Sequence, residues 1–292
     1  MQKVNNGDII IHGGDKMDIY QDYVLKTRDL YFKHQITKSP NCNAFAMHTH
    51  NMYELLYFVS GNATFVIEDR RYKLKKGDLL LIRPMKYHFI QIDASEDYER
   101  YDILFDERVL DITNTHLVGD GVDVINISSN SIAEALFKKL DYYSSKLTAE
   151  SFYQVTQLLI KELFFNLSIK DERHAHDMEG ANPIISDALK YINDNLFTLK
   201  NISEISEHLF ITESYLFRLF KQELKKSPRK YIKDKRLLAA QSLIQMGEKP
   251  TEIFERCGFG DYSSFYRNYK DYFGYPPSNE EEYNDDFFFD TH

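Results

Sequence analysis

The chain has 292 residues, 43% hydrophobic and 28% charged, which is enough for two domains with separate cores. Its two cysteines, Cys42 and Cys257, lie far apart, which speaks against a disulfide framework and for a reducing compartment. There is no apolar run of the roughly 18 residues a membrane helix needs, and "MQKVNNGDII" lacks a signal-peptide core, so the expected location is the cytoplasm. The net charge of −9 argues against nucleic acid only if it is evenly spread. It is not: residues 1–182 hold 21 basic and 27 acidic side chains, 183–274 hold 15 and 12, and 275–292 hold six acids and no Lys or Arg. Local charge decides phosphate binding.

In chain order, the first predicted elements are strands. "YELLYFVSG", "ATFVIED", "YKLKKGDLLLIRP" and "YHFIQID" are rich in Tyr, Phe, Ile, Val and Leu. Turn signals at Ser60-Gly-Asn, Glu68-Asp-Arg and Lys76-Gly-Asp separate them. Short strands at even spacing predict a β-barrel or jelly roll. Just before the first stands "HTHNMYE", with His48 and His50 two apart and Glu54 four residues on. Strand alternation puts His48, His50, Glu54, Leu56 and Phe58 on one face. His48, His50, Glu54 and Gly61 resemble the first motif of the cupin fold. Gly77, Pro84 and His88 resemble the second, with the Pro-to-His spacing one short and Lys86 where a glycine is usual.

From about residue 128 the apolar period becomes helical, through Ile132, Leu136 and Leu140, then Val155, Leu158, Leu159 and Leu163. "KDERHAHDMEGANP" reads as a linker. His174 and His176 within it are two solvated histidines, short of the four ligands of a structural metal site.

The region 183–278 predicts short helices with two similar units, "NISEISEHLFITESYLFRLFKQEL" and "KPTEIFERCGFGDYSSFYRNYKDYFG". Each has a short helix, a tight turn, and a second helix beginning at a good N-cap, Thr212 or Asp261. With Leu216, Leu219, Phe220, Phe265 and Tyr269 facing inward, Ser214, Phe217, Arg218 and Lys221 are left exposed on one unit. Tyr262, Ser263, Ser264, Arg267 and Lys270 are left on the other. That mixture suits a major groove. A helix capped by Ser227 and ended by Gly247 joins the units, with Tyr231, Ile232, Leu237, Ala240, Leu243 and Ile244 predicted as its buried face. Its start is crowded with Arg218, Lys221, Lys225, Lys226, Arg229, Lys230, Lys233, Lys235 and Arg236, against Glu223 and Asp234.

These segments resemble the DNA-binding domain of AraC/XylS-type transcription regulators, through Gly258-Phe259, Phe265, Tyr269-Lys270, Gly274 and Pro277. The resemblance implies base-facing roles for Ser214, Phe217, Arg218, Tyr262, Ser263, Ser264 and Arg267; exposure and the local basic excess add Lys221, Arg229, Lys230 and Lys270 as further DNA contacts. Lys225 stands where a turn glycine is usual, Ser206 and Phe254 where each first helix usually has alanine, and Asn279-Glu280 where Tyr-Arg usually follows the last proline. The N-terminal half resembles the same family's sensory domain, a cupin-like barrel that usually binds a small effector, such as a sugar, and holds no metal.

The expectation is therefore an α+β chain of two domains: an N-terminal cupin-like β-barrel followed by helices, and an all-α C-terminal domain with two helix-turn-helix units. The expected divisions are an effector-sensing barrel at 1–127, a helical dimerisation or connecting segment at 128–170, a linker at 171–182, the DNA-binding domain at 183–278 and an acidic tail at 279–292. The function expected is sequence-specific transcription regulation, not catalysis, with double-stranded DNA, a small-molecule effector, a second copy of the chain and RNA polymerase as partners. The effector pocket is placed at His48, His50, Glu54, Phe58 and His88. No cofactor is called for. A metal at His48, His50, Glu54 and His88, or mere internal hydrogen bonding there, are the other readings. Tyr53, Tyr57 and Tyr87 are left between pocket and core. The rival functions are a metal-dependent cupin enzyme and a ligand-independent regulator whose barrel serves only dimerisation.

Overall fold

The computed structural model describes residues 19–27, 29–38, 47–92, 96–109, 122–169, 178–179 and 182–278. The N-terminal strands are β1 (Ile19–Lys26), β2 (Leu30–Thr37), β3 (Tyr53–Ser60), β4 (Ala63–Ile67), β5 (Arg70–Lys73), β6 (Asp78–Ile82), β7 (His88–Ile92), β8 (Tyr98–Phe105) and β9 (Val124–Asn126). A two-residue strand, β10 (Met178–Glu179), follows later. They form two sheets, ordered β1-β2-β8-β3-β6-β9 and β10-β5-β4-β7. The stretch read as a plain linker thus contributes β10, which pairs antiparallel with β5. The histidines at 174 and 176, the cysteine at 42 and the acidic tail lie outside the described residues.

β3 and β6 read as near-continuous apolar runs because both of their faces are covered. Leu56, Phe58, Leu80 and Ile82 pack inward with Phe65, Ile67, Ile90 and Ile92. Leu55, Tyr57, Leu79, Leu81, Ile103 and Phe105 face the other way. There they meet α1 (Ser131–Ser144) and α2 (Ala149–Ile169) through Leu136, Phe137, Phe152, Ile160 and Phe164. The two helices therefore share one core with the six-stranded sheet. Two of the residues used to recognise them, Ile132 and Leu158, face solvent; Leu158 is 63% exposed and Phe165, one heptad on, 46%.

The C-terminal helices are α3 (Pro183–Asp194), α4 (Ser203–His208), α5 (Glu213–Leu224), α6 (Pro228–Gln245), α7 (Pro250–Ile253) and α8 (Tyr262–Phe273). The predicted caps hold. Thr212 accepts from the Tyr215 amide at 3.2 Å, Ser227 from Lys230 at 3.2 Å and Asp261 from Ser264 at 2.7 Å. Lys225, in the glycine position, takes a left-handed conformation at φ 53°. Ser206 fits its alanine position by donating its hydroxyl to the Ser203 carbonyl at 3.0 Å. The Phe254 ring is accommodated edge-on to Tyr262, centroids 5.8 Å apart.

α6 is a strut of about 27 Å at 1.5 Å per residue. Arg236 on it ties the two helix-turn-helix units together. Its guanidinium donates to the carbonyls of Leu196 and Leu199 before the first unit and to Gly258 in the turn of the second, at 2.8, 2.6 and 2.8 Å. Gly258 sits at φ +79°, and a Cβ there would lie 2.7 Å from the guanidinium and 3.0 Å from the Phe197 carbonyl. Gly258→Ala is expected to lower the thermal midpoint of the C-terminal domain and weaken DNA binding, since it combines backbone strain of about 1 kcal/mol with displacement of Arg236. Calorimetry and a DNA titration on the same variant check both effects.

Candidate functional sites in the barrel and on the helical domain

Register carries the barrel's polar interior. Glu54 pairs opposite Leu104, Leu56 opposite Asp102 and Phe58 opposite Arg100, so Arg100 and Asp102 share the inward face with Glu54. Sequence reading missed both. The alternation in "YERYDILF" is the signal that would have found them, because Arg100, Asp102 and Leu104 fall on one face. Arg100 and Asp102 are almost wholly buried, with Nε to Oδ2 at 3.7 Å. Burial and the neighbouring Glu54 carboxylate push the Asp102 carboxyl up to about 8, against the pull of Arg100.

Four of the five predicted pocket residues come together. His48, His50, Glu54 and His88 each bring a donor atom within 4.8 Å of the others. His48 sits on an isolated β-bridge with His88, held by backbone hydrogen bonds of 3.1 and 3.0 Å. Phe58 shares the interior but belongs to its apolar cluster, beside Tyr98. Of the three tyrosines left open, Tyr53 stacks on Phe105 and Tyr57 on Phe137, both on the helix-facing side of the sheet.

Tyr87 does something sequence reading did not foresee. Although it belongs to the N-terminal half, it is fully buried in the core of the C-terminal domain, with Ile185, Leu216, Phe220 and Tyr231. Its hydroxyl donates to Asp234 at 2.6 Å, and Lys226 lies 4.6 Å from its ring centroid. Beside it, Glu68 is 5% exposed at φ 53°. Its carboxylate accepts from Lys86 at 2.8 Å, from Tyr231 at 2.6 Å and from Lys235 at 3.3 Å. Burial pushes this carboxyl up, but Lys235 and Lys86 outweigh it and hold it at about 2. The lysine side runs the other way: burial lowers Lys235 despite Glu68. The gain on one partner is thus offset on the other, and the pair fixes geometry more than it adds net stability. Asp69 and Ser186, Arg71 and Glu223, and Asn51 and Gln245 extend the contact between the halves.

This corrects the basic crowd at the start of α6. Lys235 is buried against the barrel, and Arg236 is spent on backbone carbonyls. Lys226 is largely covered beside Asp234. Lys221, Lys225, Lys226 and Lys230, with Ser227, line an open pocket of about 470 Å³ whose other wall includes Met47, next to His48. On the two second helices, Ser214, Arg218, Lys221, Ser263, Arg267 and Lys270 are exposed, as is Arg229 on α6. Phe217, Tyr262 and Ser264 are half-buried, and the Ser264 hydroxyl faces the Asn268 amide at 3.4 Å. Phe210, in the turn of the first unit, is 95% exposed.

A family model described as an AraC-like ligand binding domain matches residues 36–166, and a helix-turn-helix domain model matches 205–282. The chain belongs to the AraC/XylS family of transcription regulators. It is a DNA-binding transcription regulator with an effector-binding type of N-terminal domain, and its α+β two-domain architecture is the expected one. The regulator is 26% identical over 238 residues to the HTH-type transcriptional activator RhaR of Cronobacter sakazakii, covering 76% of this chain and 82% of the relative. It is 22% identical over 274 residues to the Msm operon regulatory protein of Streptococcus mutans, covering 90% and 96%. Among solved structures it is similar to ToxT of Vibrio cholerae with an unsaturated fatty acid bound, at 16% identity and a TM-score of 0.38 over 89% of this chain and 96% of that one. The relatives are transcription regulators. No helix among the described residues is long and apolar enough to cross a membrane.

Glu68→Ala strands Lys235 in the contact between the halves and is expected to destabilise the regulator by about 3–5 kcal/mol, with Lys235→Met in addition recovering most of it. Thermal unfolding of the single and double variants checks this. Because folding holds the Glu68 carboxyl below its ordinary 4.5, its contribution is full above that pH and fades as pH falls toward about 2. The wild type should lose stability in that window more steeply than the double variant.

Proposed function

We propose that the regulator senses a small polar molecule, a sugar being the chemistry that suits it, inside the N-terminal barrel, and that occupancy there changes how the barrel grips α6. The effector site would comprise His48, His50, Glu54 and His88, with Phe58 on its apolar wall. One observation carries this reading: His88 of the polar cluster is followed back along the chain by Tyr87, which is built into the core of the DNA-binding domain. A shift of β7 at its first residue therefore moves a side chain bonded to Asp234 on α6. Imidazoles and a carboxylate offer both donors and acceptors to hydroxyl groups. A thermal-shift screen of small polyols tests the reading. A true effector raises the melting temperature by mass action, and the rise should vanish in Glu54→Gln.

The divisions proposed are sensing at 1–127, dimerisation at 128–170, connection at 171–182 and DNA binding at 183–278. DNA would be read by Ser214, Phe217 and Arg218 and by Tyr262, Ser263, Ser264 and Arg267, with Lys221, Arg229, Lys230 and Lys270 on phosphates. A cytoplasmic homodimer acting on RNA polymerase, and not an enzyme, completes the proposal. The exposed Leu158 and Phe165 on α2 support the dimer.

Arg218→Ala and Arg267→Ala are each expected to cost about 1–3 kcal/mol of DNA affinity and to relax base preference. Lys230→Ala should weaken all sequences alike and flatten the salt dependence by roughly one phosphate, whereas Lys235→Met should leave the salt slope unchanged. Binding isotherms at several salt concentrations distinguish these. Leu158→Asp is expected to shift the dimer toward monomer in sedimentation velocity; an unchanged sedimentation coefficient would remove α2 from the interface.

A further inference from the structure

The barrel cluster turns its donor atoms toward one point, as the ligands of a cation do. Nδ1 of His50 lies 2.9 Å from the Met52 carbonyl, and Nδ1 of His88 lies 2.9 Å from the Lys86 carbonyl. A carbonyl only accepts, so each Nδ1 carries a proton, and each neutral ring then presents a lone pair at Nε2. Both Nε2 atoms turn to the same acceptor, Glu54 Oε2, at 3.2 and 2.9 Å. Two imidazole nitrogens and a carboxylate oxygen thus converge on one point, where a shared cation would bind all three. The His48 ring closes the group, its centroid 4.2 Å from that of His88.

The spacing is that of ligands. Two donors side by side around an ion at about 2.1 Å stand roughly 3 Å apart. A carbonyl bond at Nδ1, holding a ring so that Nε2 faces inward, is the usual outer support of a metal-bound histidine. Glu54 projects from β3 and His88 from β7, and two backbone hydrogen bonds tie His48 to His88, so most of the set stands on braced backbone. Arg100 brings a positive charge to the same interior, but Asp102 lies against it at 3.7 Å.

We propose that the barrel binds one divalent transition-metal ion through His48, His50, Glu54 and His88. This rests on the reading of the cluster as the sensing centre and names what occupies it: an ion that anchors the oxygens of the effector. Three imidazoles with one carboxylate suit zinc, iron, nickel or manganese and not calcium or magnesium, which favour oxygen donors throughout.

The test uses the full chain, stripped with a chelator and titrated with cobalt(II) as the optical probe. One equivalent should bind, with visible d–d absorption and a raised melting temperature. His48→Ala and Glu54→Gln should each weaken binding at least about tenfold while circular dichroism stays unchanged, and the His174→Ala/His176→Ala double variant should bind as the wild type does. No stoichiometric cobalt binding overturns the proposal. So does binding lost with His174 and His176, or binding retained in both cluster variants. Should the cluster variants misfold, competition by zinc and nickel at one equivalent on the wild type and on the 174/176 variant still decides it: failure to displace cobalt from the latter overturns the site. A polyol that stabilises metal-free protein but not Glu54→Gln, with no cobalt bound, overturns the ion and leaves the sensing reading intact.

Discussion

The arrangement of the two halves depends on a buried carboxylate shared between them. Glu68 sits in a left-handed turn between β4 and β5 and faces Lys86 of its own domain and Tyr231 and Lys235 of α6. A residue with a Cβ holds such a backbone only where its surroundings over-determine it. Here the charge partners do so. Taking Glu68 and Lys235 out of water costs each of them, and their attraction offsets that cost only in this geometry. The contact is therefore sensitive to the loss of either partner. Tyr87 completes it by burying a barrel side chain among the apolar residues of the DNA-binding domain.

α6 serves three neighbours at once. Outward it carries Arg229, Lys230 and Lys233, all exposed. Toward the barrel it offers Tyr231, Asp234 and Lys235. Toward the two helix-turn-helix units it offers Arg236 and the apolar residues Leu237, Leu238 and Ala240. A helix so occupied has no strongly one-sided apolar stripe, and the basic residues crowded at its start, which in sequence form one group, are divided among three surroundings. The division matters for electrostatics, because a lysine paired with a buried glutamate releases no counterions from DNA. The basic pocket formed by Lys221, Lys225, Lys226 and Lys230 shares a wall with Met47, so the basic side of the domain and the barrel's histidine segment are physical neighbours.

Inside the barrel, Leu56, Phe58, Leu80 and Ile90 share the interior with Glu54, Asp102, Arg100 and the histidines, and Asp102 and Arg100 pair directly opposite Leu56 and Phe58. Buried charge of this density is expensive and is retained where it has a use. The raised Asp102 carboxyl reflects that cost: with Glu54 beside it, one of the two carboxyls stays protonated more readily than in water.

The sequence by itself determined whatever local chemistry dictates. Thr212, Ser227 and Asp261 cap their helices because a side-chain oxygen reaches the amide three residues on whatever the tertiary context. Period-2 alternation put Glu54, Leu56 and Phe58 on one face, and the resemblance to the two cupin motifs joined His88 to His48, His50 and Glu54. Tertiary structure decided which partners those residues meet. β8 shows this: only its pairing with β3 turns Arg100 and Asp102 into neighbours of Glu54. Lys235 and Lys230 are chemically alike and five residues apart, yet one is buried against Glu68 and the other is half exposed. Burial is a property of what packs against a residue, and contacts between positions more than 160 residues apart in sequence leave no local trace in composition or periodicity.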